Sequence, residues 1–211
     1  MPRSVLRRLP WLLVGLTLFG IGIALMAQAG LGLGPWEVLH QGIGRQSGVA
    51  LGTVSILVGI PVLALWWPLG ERPGIGTVLN IAVIGMVTNL ALLVVPQPSA
   101  LTARLALTIA GVGLIGIASG LYLAADLGAG PRDGLMTGLH KRSGWPVAAV
   151  RTAIEVTVLV AGWRLGGTVG FGTLLFAFGI GPIVQWALGI FDRDGAVLRR
   201  RRAIGIGAEA E

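Results

Sequence analysis

The sequence predicts an all-α, polytopic membrane protein, and three observations support this fold class. The mean hydropathy is +0.83. Only 12% of the 211 residues are charged, whereas soluble domains carry about 25%. Six apolar stretches are each long enough to cross a hydrocarbon core of about 30 Å, which takes roughly 20 helical residues. A water-soluble fold of this composition would expose a large apolar surface, so lipid is the expected solvent.

The six apolar stretches are predicted to be transmembrane helices, because period-2 alternation is absent and backbone exposed to lipid must form its own hydrogen bonds. The first stretch follows a basic start and resembles a signal peptide. We favour a span instead, since a similar segment recurs within the chain. The predicted spans are Trp11–Ala29, Ala50–Trp67, Ile75–Val95, Leu105–Ala125, Trp145–Leu165 and Phe171–Phe191.

The chain matches itself at an offset of 96 residues, the separation of Pro35 and Pro131, without any gap. We therefore predict two repeats, residues 1–96 and 97–192, each with three spans, followed by a basic tail at 193–211 that we expect to be disordered. An odd number of spans per repeat would place the second repeat upside down, as in many secondary transporters. Matching segments are Ala29–Pro35 with Ala125–Pro131, Leu69-Gly70 with Leu165-Gly166, and Gly74–Thr77 with Gly170–Thr173.

The distribution of Lys and Arg agrees with both termini in the cytoplasm. Twelve of the 16 basic residues then fall in cytoplasmic segments and three outside, as the positive-inside rule expects. A rival topology has the short segments Trp36–Arg45 and Arg132–Lys141 cross as well, which makes the repeats parallel without changing this count. Length favours six spans, because ten helical residues cover only about 15 Å.

Several function classes find no support in the sequence. There is no cysteine and there are two histidines, so we expect no metal site. No Walker A motif and no catalytic Ser/His/Asp or HExxH arrangement occurs. The basic residues lie in short clusters between apolar runs, so a nucleic-acid partner is not expected. We predict a protein that is not an enzyme and that needs no cofactor.

The first predicted span ends at a glycine-rich break. Glycine closes helix ends cheaply, and proline suits the first position of a new helix. The breaks at Gly34-Pro35 and Gly130-Pro131 should therefore each start a short half-helix. The first half-helix presents Glu37, His40 and Gln41, with Arg45, on one face; the second presents Asp133 and Thr137, with His140 and Lys141.

Two interpretations of these half-helices remain open. As re-entrant elements, they would point their positive N-terminal ends at a polar site between the repeats, where Glu37 and Asp133 could bind a cation or relay protons. As interfacial elements, they would lie on the two membrane surfaces with solvated polar faces. An acidic residue near a helix N-terminus is favourable in either case.

Further polar residues lie within the predicted spans. Arg151 and Glu155 are one helical turn apart, so they can pair with each other, or they can line a polar pathway. Asn80 and Asn89, with Gln185 at the position matching Asn89, either form interhelical hydrogen bonds or contact a substrate. Six tryptophans near span ends are predicted to be interfacial anchors: Trp11, Trp66, Trp67, Trp145, Trp163 and Trp186.

The segments Gly32–Gly42 and Gly52–Gly59 resemble the YczE/YitT-like family of bacterial membrane proteins, and the resemblance extends to about Phe191. It implies a multi-pass protein of the bacterial plasma membrane, for which transport or regulation is the expected role. It supplies no catalytic residues. The second repeat departs from the motif, because Trp36-Glu37 becomes Arg132-Asp133 and His40 becomes Met136.

We therefore predict a transporter, or a transporter subunit, for an unknown small molecule or ion. The alternative is a membrane regulatory or assembly protein that does not transport. The expected partners are the lipid bilayer, anionic lipid headgroups at the basic tail, the small-molecule substrate, and a membrane partner or a second copy of the chain.

Overall fold

A computed structural model describes residues 3–192, 195 and 197–199. Within these residues the chain is helical, and no strand occurs. The basic tail lies almost wholly outside the described residues, so its predicted disorder and lipid contacts stay predictions. The helices within residues 3–192 are α1 (Arg3–Ala29), α2 (Pro35–Ser47), α3 (Leu51–Ala64), α4 (Trp66–Leu69), α5 (Ile75–Val94), α6 (Leu101–Ala124), α7 (Pro131–Ser143), α8 (Val147–Arg164) and α9 (Phe171–Phe191).

Five helical segments are long and apolar enough to cross a membrane, which confirms the helical membrane class. They correspond to five of the six predicted spans, with α3 and α4 together forming one of them. The predicted sixth span, Trp145–Leu165, coincides with α8, which carries three charged residues. The five segments are Val5–Ala29, Leu51–Leu69, Ile75–Val94, Leu101–Ala124 and Phe171–Phe191.

The glycine breaks end α1 and α6 as expected. Gly30 and Gly32 have φ of 63° and 113°, in the left-handed region that glycine tolerates, and α2 then starts at Pro35. After α6, Gly128 has φ of 134° and α7 starts at Pro131. Both half-helices are 13 residues long, and the first and last residues of α7 lie 96 positions after those of α2.

The core lies where α1 crosses α6. Small residues at the crossing let the two backbones approach closely: a Cβ added to Gly111 would lie 2.9 Å from the carbonyl oxygen of Gly22. Around this contact Leu16, Ile115 and Val112 are fully buried. Helix α5 packs on α1, and α9 packs on α6.

Each half-helix packs against the opposite half of the chain. Helix α2 lies on α8, where Gly42 approaches Gly162 so closely that a Cβ on Gly42 would lie 2.5 Å from the Gly162 carbonyl oxygen. Helix α7 lies on α4, where the Trp66 ring fills the space above Gly134. The prediction that Trp66 is an interfacial anchor is wrong. Its side chain is buried and its Nε1 donates to the Pro131 carbonyl at 3.0 Å, because Gly134 has no side chain and leaves room for the ring against α7.

Two backbone hydrogen bonds join the breaks to the starts of α5 and α9. The Gly76 N–H donates to the Leu127 carbonyl at 2.9 Å, and the Gly172 N–H donates to the Leu31 carbonyl at 2.8 Å. We call two residues that lie 96 positions apart offset partners. The donors Gly76 and Gly172 are offset partners, and so are the acceptors Leu31 and Leu127.

The two halves differ in how their last two long helices pack, which are α3 and α5 in the first half and α8 and α9 in the second. Helix α3 packs tightly on α5: a Cβ on Gly85 would lie 2.5 Å from the Gly52 carbonyl oxygen, and Asn89 accepts from the Gly52 N–H at 2.8 Å. In the other half, α8 and α9 stand apart, and a Cβ on Gly181, the offset partner of Gly85, would meet nothing within 4 Å. The chain is therefore closed between α3 and α5 and open between α8 and α9.

This difference predicts opposite effects for two equivalent substitutions. Gly85→Ala should lower the free energy of unfolding by about 1–3 kcal/mol, because overpacking a close contact strains it. Gly181→Ala should not lower stability and should raise it slightly, since its Cβ enters open space and alanine favours a helix over glycine. Thermal unfolding of the two purified variants in the same detergent measures this. Equal destabilisation by both would contradict the described opening.

Candidate functional site

A cavity of about 450 Å³ occupies the space between α8 and α9, extends to the starts of both half-helices and is also lined by residues of α3 and α5. It reaches the last turns of α9 and Leu198, the end of the bundle that holds the C-terminal end of α9. Its wall is mixed, with aromatic rings beside charged and polar groups. The polar and aromatic lining residues are Phe19, Trp36, His40, Ser55, Asn80, Ser119, Tyr122, Arg132, Asp133, Arg151, Glu155, Phe176 and Gln185.

The first turns of α2 and α7 meet at the inner wall of this cavity. The Arg132 guanidinium lies 5.1 Å from the centre of the Trp36 ring, a cation–π distance, and the His40 ring lies 6.4 Å from the same ring. Trp36 and Arg132 are offset partners, so each touches its own counterpart.

Glu37 and Arg132 form a buried ion pair across the two half-helices. Nη2 of Arg132 donates to Oε1 of Glu37, and the Glu37 side chain is only 3% exposed, against 28% for Arg132. A cation in the first turn of a helix opposes the helix dipole, so the carboxylate compensates an otherwise unfavourable arginine. The second carboxylate oxygen, Oε2, and the Trp36 Nε1 are buried without a hydrogen-bond partner in the described part of the chain.

A second polar corner lies beside Gly130. Around the position that a Cβ on Gly130 would take, Oδ2 of Asp133 and the Tyr122 hydroxyl oxygen lie 3.3 Å away and Nδ2 of Asn80 lies 3.8 Å away. These atoms come from α7, α6 and α5, and all four residues line the cavity. Among the described residues, the Asp133 carboxylate has no ion-pair partner and accepts no hydrogen bond.

Arg151 and Glu155 line the cavity from α8. Nε of Arg151 donates to Oε1 of Glu155 at 3.0 Å, with side chains 45% and 29% exposed. The two residues therefore pair with each other, as their spacing allows, and both line the cavity, while a polar pathway stays a prediction.

The structure brings together only some of the predicted site residues. Those that line the cavity are Pro35, His40, Gly130, Pro131, Asp133, Arg151, Glu155 and Gln185. Glu37 lies behind Arg132, and Gly34 lies beside the Glu37 carboxylate. The remaining three make structural hydrogen bonds away from the cavity. Gln41 accepts from the Thr168 N–H at 2.7 Å, Asn89 holds α3 through Gly52 and Thr53, and Thr137 donates to the Asp133 carbonyl at 2.9 Å.

Sequence reasoning did not select Arg132, Trp36 or Tyr122 as site residues. One signal for Arg132 was present: a basic side chain in a predicted first helical turn, where the dipole disfavours it, needs a compensating acid. Tyr122 gave no such signal, because a tyrosine near the end of an apolar span is also typical of an interfacial anchor.

Together, five or more apolar helices, two broken helices and a polar cavity at their junction define a multi-pass helical membrane protein with an internal polar site. The chain belongs to the family of unknown function DUF6198, whose pattern matches residues 6–188.

Three relatives extend this assignment, and they confirm the resemblance to YczE. The uncharacterized membrane protein YczE of Bacillus subtilis is 34% identical over 209 residues, 97% of each chain. An uncharacterized protein of Haemophilus influenzae is 43% identical over 182 residues, 86% of this chain and 84% of the relative. The uncharacterized protein YyaS of Bacillus subtilis is 27% identical over 192 residues, 89% and 96% of the two chains. No solved structure matches this chain significantly.

The buried ion pair predicts an asymmetric pair of effects on stability. Arg132→Met leaves the buried Glu37 charge without a partner and should cost about 3–5 kcal/mol. Glu37→Gln should cost less, because Arg132 is partly exposed and can be solvated. The double variant should be more stable than Arg132→Met alone. Thermal unfolding of the three variants forms a double-mutant cycle.

Lys141→Met is the matched control, because Lys141 pairs with Glu71 outside the cavity and is 58% exposed. It should change stability far less than Arg132→Met. Additive effects of Glu37→Gln and Arg132→Met would contradict a direct interaction between the two charges.

Proposed function

We propose that this chain is a transporter for a small molecule and that the cavity between α8 and α9 is its substrate site. One observation carries the proposal: a polar cavity lies at the junction of two broken helices, open on one side and closed on the equivalent side. Transporters that alternate access hold their substrate near mid-membrane at such a junction. In this proposal the chain moves its solute without transforming it.

The proposal includes six spans arranged as inverted repeats. Helix α8, at 18 residues, is about 27 Å long and can serve as the sixth span. Arg151 and Glu155 make it less apolar than the other five, but both face the cavity rather than lipid, as charges at membrane depth usually do. Three spans per repeat then place the pseudo-two-fold axis in the plane of the membrane.

Reciprocal side-chain contacts support the same symmetry. At one end, Arg45 binds the loop after α8, with Nη2 3.0 Å from Oγ1 of Thr168. Its offset partner, Lys141, binds the loop after α4 through Glu71 at 2.7 Å. Likewise, Arg104 donates to the Ala29 carbonyl at 2.7 Å, and the corresponding Arg8 lies 4.0 Å from Asp126. Lys141 and Arg8 thus lie beside a carboxylate, whereas their counterparts Arg45 and Arg104 bind hydroxyl or backbone oxygens.

Burial of the half-helices supports a re-entrant rather than an interfacial position. Glu37 and His40 are each 3% exposed and Val38 is fully buried, so the N-terminal half of α2 is not solvated, as a surface helix would require, and only its C-terminal end, at Arg45, is exposed. The two N-termini face each other across the cavity wall instead. Their positive ends suit the carboxylates of Glu37 and Asp133.

The open and closed sides support alternating access. In the described state α8 and α9 are separated while Gly52 and Gly85 hold α3 against α5. An exchange of these two arrangements would close the cavity at one end and open its equivalent at the other. With the termini in the cytoplasm, as the charge distribution favours, the described state is open to the cytoplasm.

A first experiment tests the inverted topology. Ser47→Cys and Ser143→Cys place thiols at offset partners, both exposed, in a chain without native cysteine. We expect a membrane-impermeant maleimide to label Ser47→Cys only from outside and Ser143→Cys only from the cytoplasmic side of oriented vesicles. Labelling of both from one side would support parallel repeats and contradict the proposal.

A second experiment tests alternating access itself. Val184→Cys lies in the cavity, whereas its offset partner Thr88→Cys is buried against Gly20. We expect a small impermeant thiosulfonate to label Val184→Cys rapidly from the cytoplasmic side. Thr88→Cys should react slowly and only from outside, because the outward state is a minor population.

Two results would overturn the transport proposal. Rapid labelling of both positions from both sides would indicate an open channel. No outside labelling of Thr88→Cys over hours, with full labelling after denaturation, would indicate a static protein such as a regulatory or assembly subunit.

A further inference from the structure

The charges that line the cavity are paired, with one exception. Arg132 is matched by Glu37, and Arg151 is matched by Glu155 at 3.0 Å. The Asp133 carboxylate lines the same cavity and has neither an ion-pair nor a hydrogen-bond partner within the described ranges. With His40 counted as neutral, the described residues that line the cavity leave one negative charge without a compensating cation.

A carboxylate without a cationic partner is costly at membrane depth, and Asp133 is only partly exposed. Asp133 gains some support from its place in the first turn of α7, where the helix dipole favours a negative charge. That effect is modest compared with a direct ion pair. A cationic ligand would therefore gain more from this carboxylate than from any other group of the cavity wall.

The surroundings of Asp133 fit an ammonium group. Its Oδ2 and the Tyr122 hydroxyl oxygen each lie 3.3 Å from the position that a Cβ on Gly130 would take, so two oxygens from different helices lie beside the same part of the cavity wall. An alkylammonium has three N–H donors and can bond to both. Its organic part would meet Phe19, Trp36 and Phe176, whose rings line the cavity and favour cations on their faces.

A bare metal cation fits the same corner poorly. Hard cations take about six oxygen ligands, whereas the third polar atom near Gly130 is the amide nitrogen of Asn80, at 3.8 Å. In the part of the chain that is described, no three His, Cys, Asp or Glu side chains come together. A volume of about 450 Å³ also far exceeds what a single ion needs and matches a small organic molecule.

We propose that the cavity binds a small organic ammonium ion, with the Asp133 carboxylate as its counter-ion and the aromatic wall around its apolar part. This inference rests on the proposed function, since it assigns the class of substrate to the same site. Binding can be measured without transport, however, so the two proposals can fail separately.

The experiment uses three probes of similar size and different charge: benzylammonium, benzyl alcohol and benzoate. Each is added to the purified full-length protein in detergent, and thermal unfolding is followed over a range of concentrations, since a ligand that binds the folded state raises Tm. We expect a saturable rise with benzylammonium and none with the other two probes. For Asp133→Asn, the benzylammonium concentration that gives half the effect should rise roughly tenfold or more, because the neutral amide forms no ion pair.

Glu71→Gln is the matched control, since Glu71 pairs with Lys141 outside the cavity and the change removes the same charge. It should leave the response to benzylammonium unchanged. Benzylammonium protection of Val184→Cys from a thiosulfonate gives a second measurement that does not depend on how well Asp133→Asn folds.

The outcomes separate the alternatives. A response limited to benzoate would overturn the proposal in favour of an anion held by Arg132 and the unpartnered Trp36 Nε1. Equal responses to all three probes, no response to benzylammonium, or an undiminished response in Asp133→Asn would also overturn it. If benzylammonium binds but Thr88→Cys is not labelled from outside, the proposed ligand class would stand and the transport proposal would fail.

Discussion

The fold depends on one constraint: a helix that is broken inside an apolar environment leaves backbone groups that only the protein itself can satisfy. The chain meets this constraint across its two halves. The carbonyl of Leu31, in the first break, accepts from Gly172, and the carbonyl of Leu127, in the second, accepts from Gly76. Because each break is completed by the other half, the two halves are interlocked and neither break can form its contacts alone.

This interlocking determines where the polar groups lie. Anchored at the breaks, α2 and α7 start close together and place their positive N-terminal ends at one wall. Acidic residues in both first turns offset these two like-signed ends. Arg132 adds a further positive charge, which is tolerated because Glu37 pairs with it and the Trp36 ring stacks against it.

The sidedness of the cavity comes from residues that differ between the halves. Trp66 fills the space above α7, whereas the equivalent Gly162 lets α2 approach α8 directly. Asn80 is matched by Phe176, so one half-helix start faces a polar corner and the other an aromatic one. The backbone scheme is shared, but these side chains favour different distances between neighbouring helices, and an opening on one side only is the consequence.

Patterns in the sequence were sufficient for the broad architecture. Apolar length gave the helices, and Gly34-Pro35 and Gly130-Pro131 gave both half-helix starts to the residue, because glycine and proline act on the local backbone whatever surrounds it. The Arg151–Glu155 pair followed from helical spacing alone. In each case the determining interaction lies within about one helical turn.

The sequence by itself thus determined the membrane class, the element order and the positions of the breaks, which are local properties of the backbone and of hydropathy. Only the tertiary structure decided which polar residues share a cavity. It separated Asn89, which ties α3 to α5, from its counterpart Gln185, which lines the cavity. It also paired Glu37 with Arg132, 95 residues away. These outcomes depend on distances between helices, which side chains remote in sequence determine by packing.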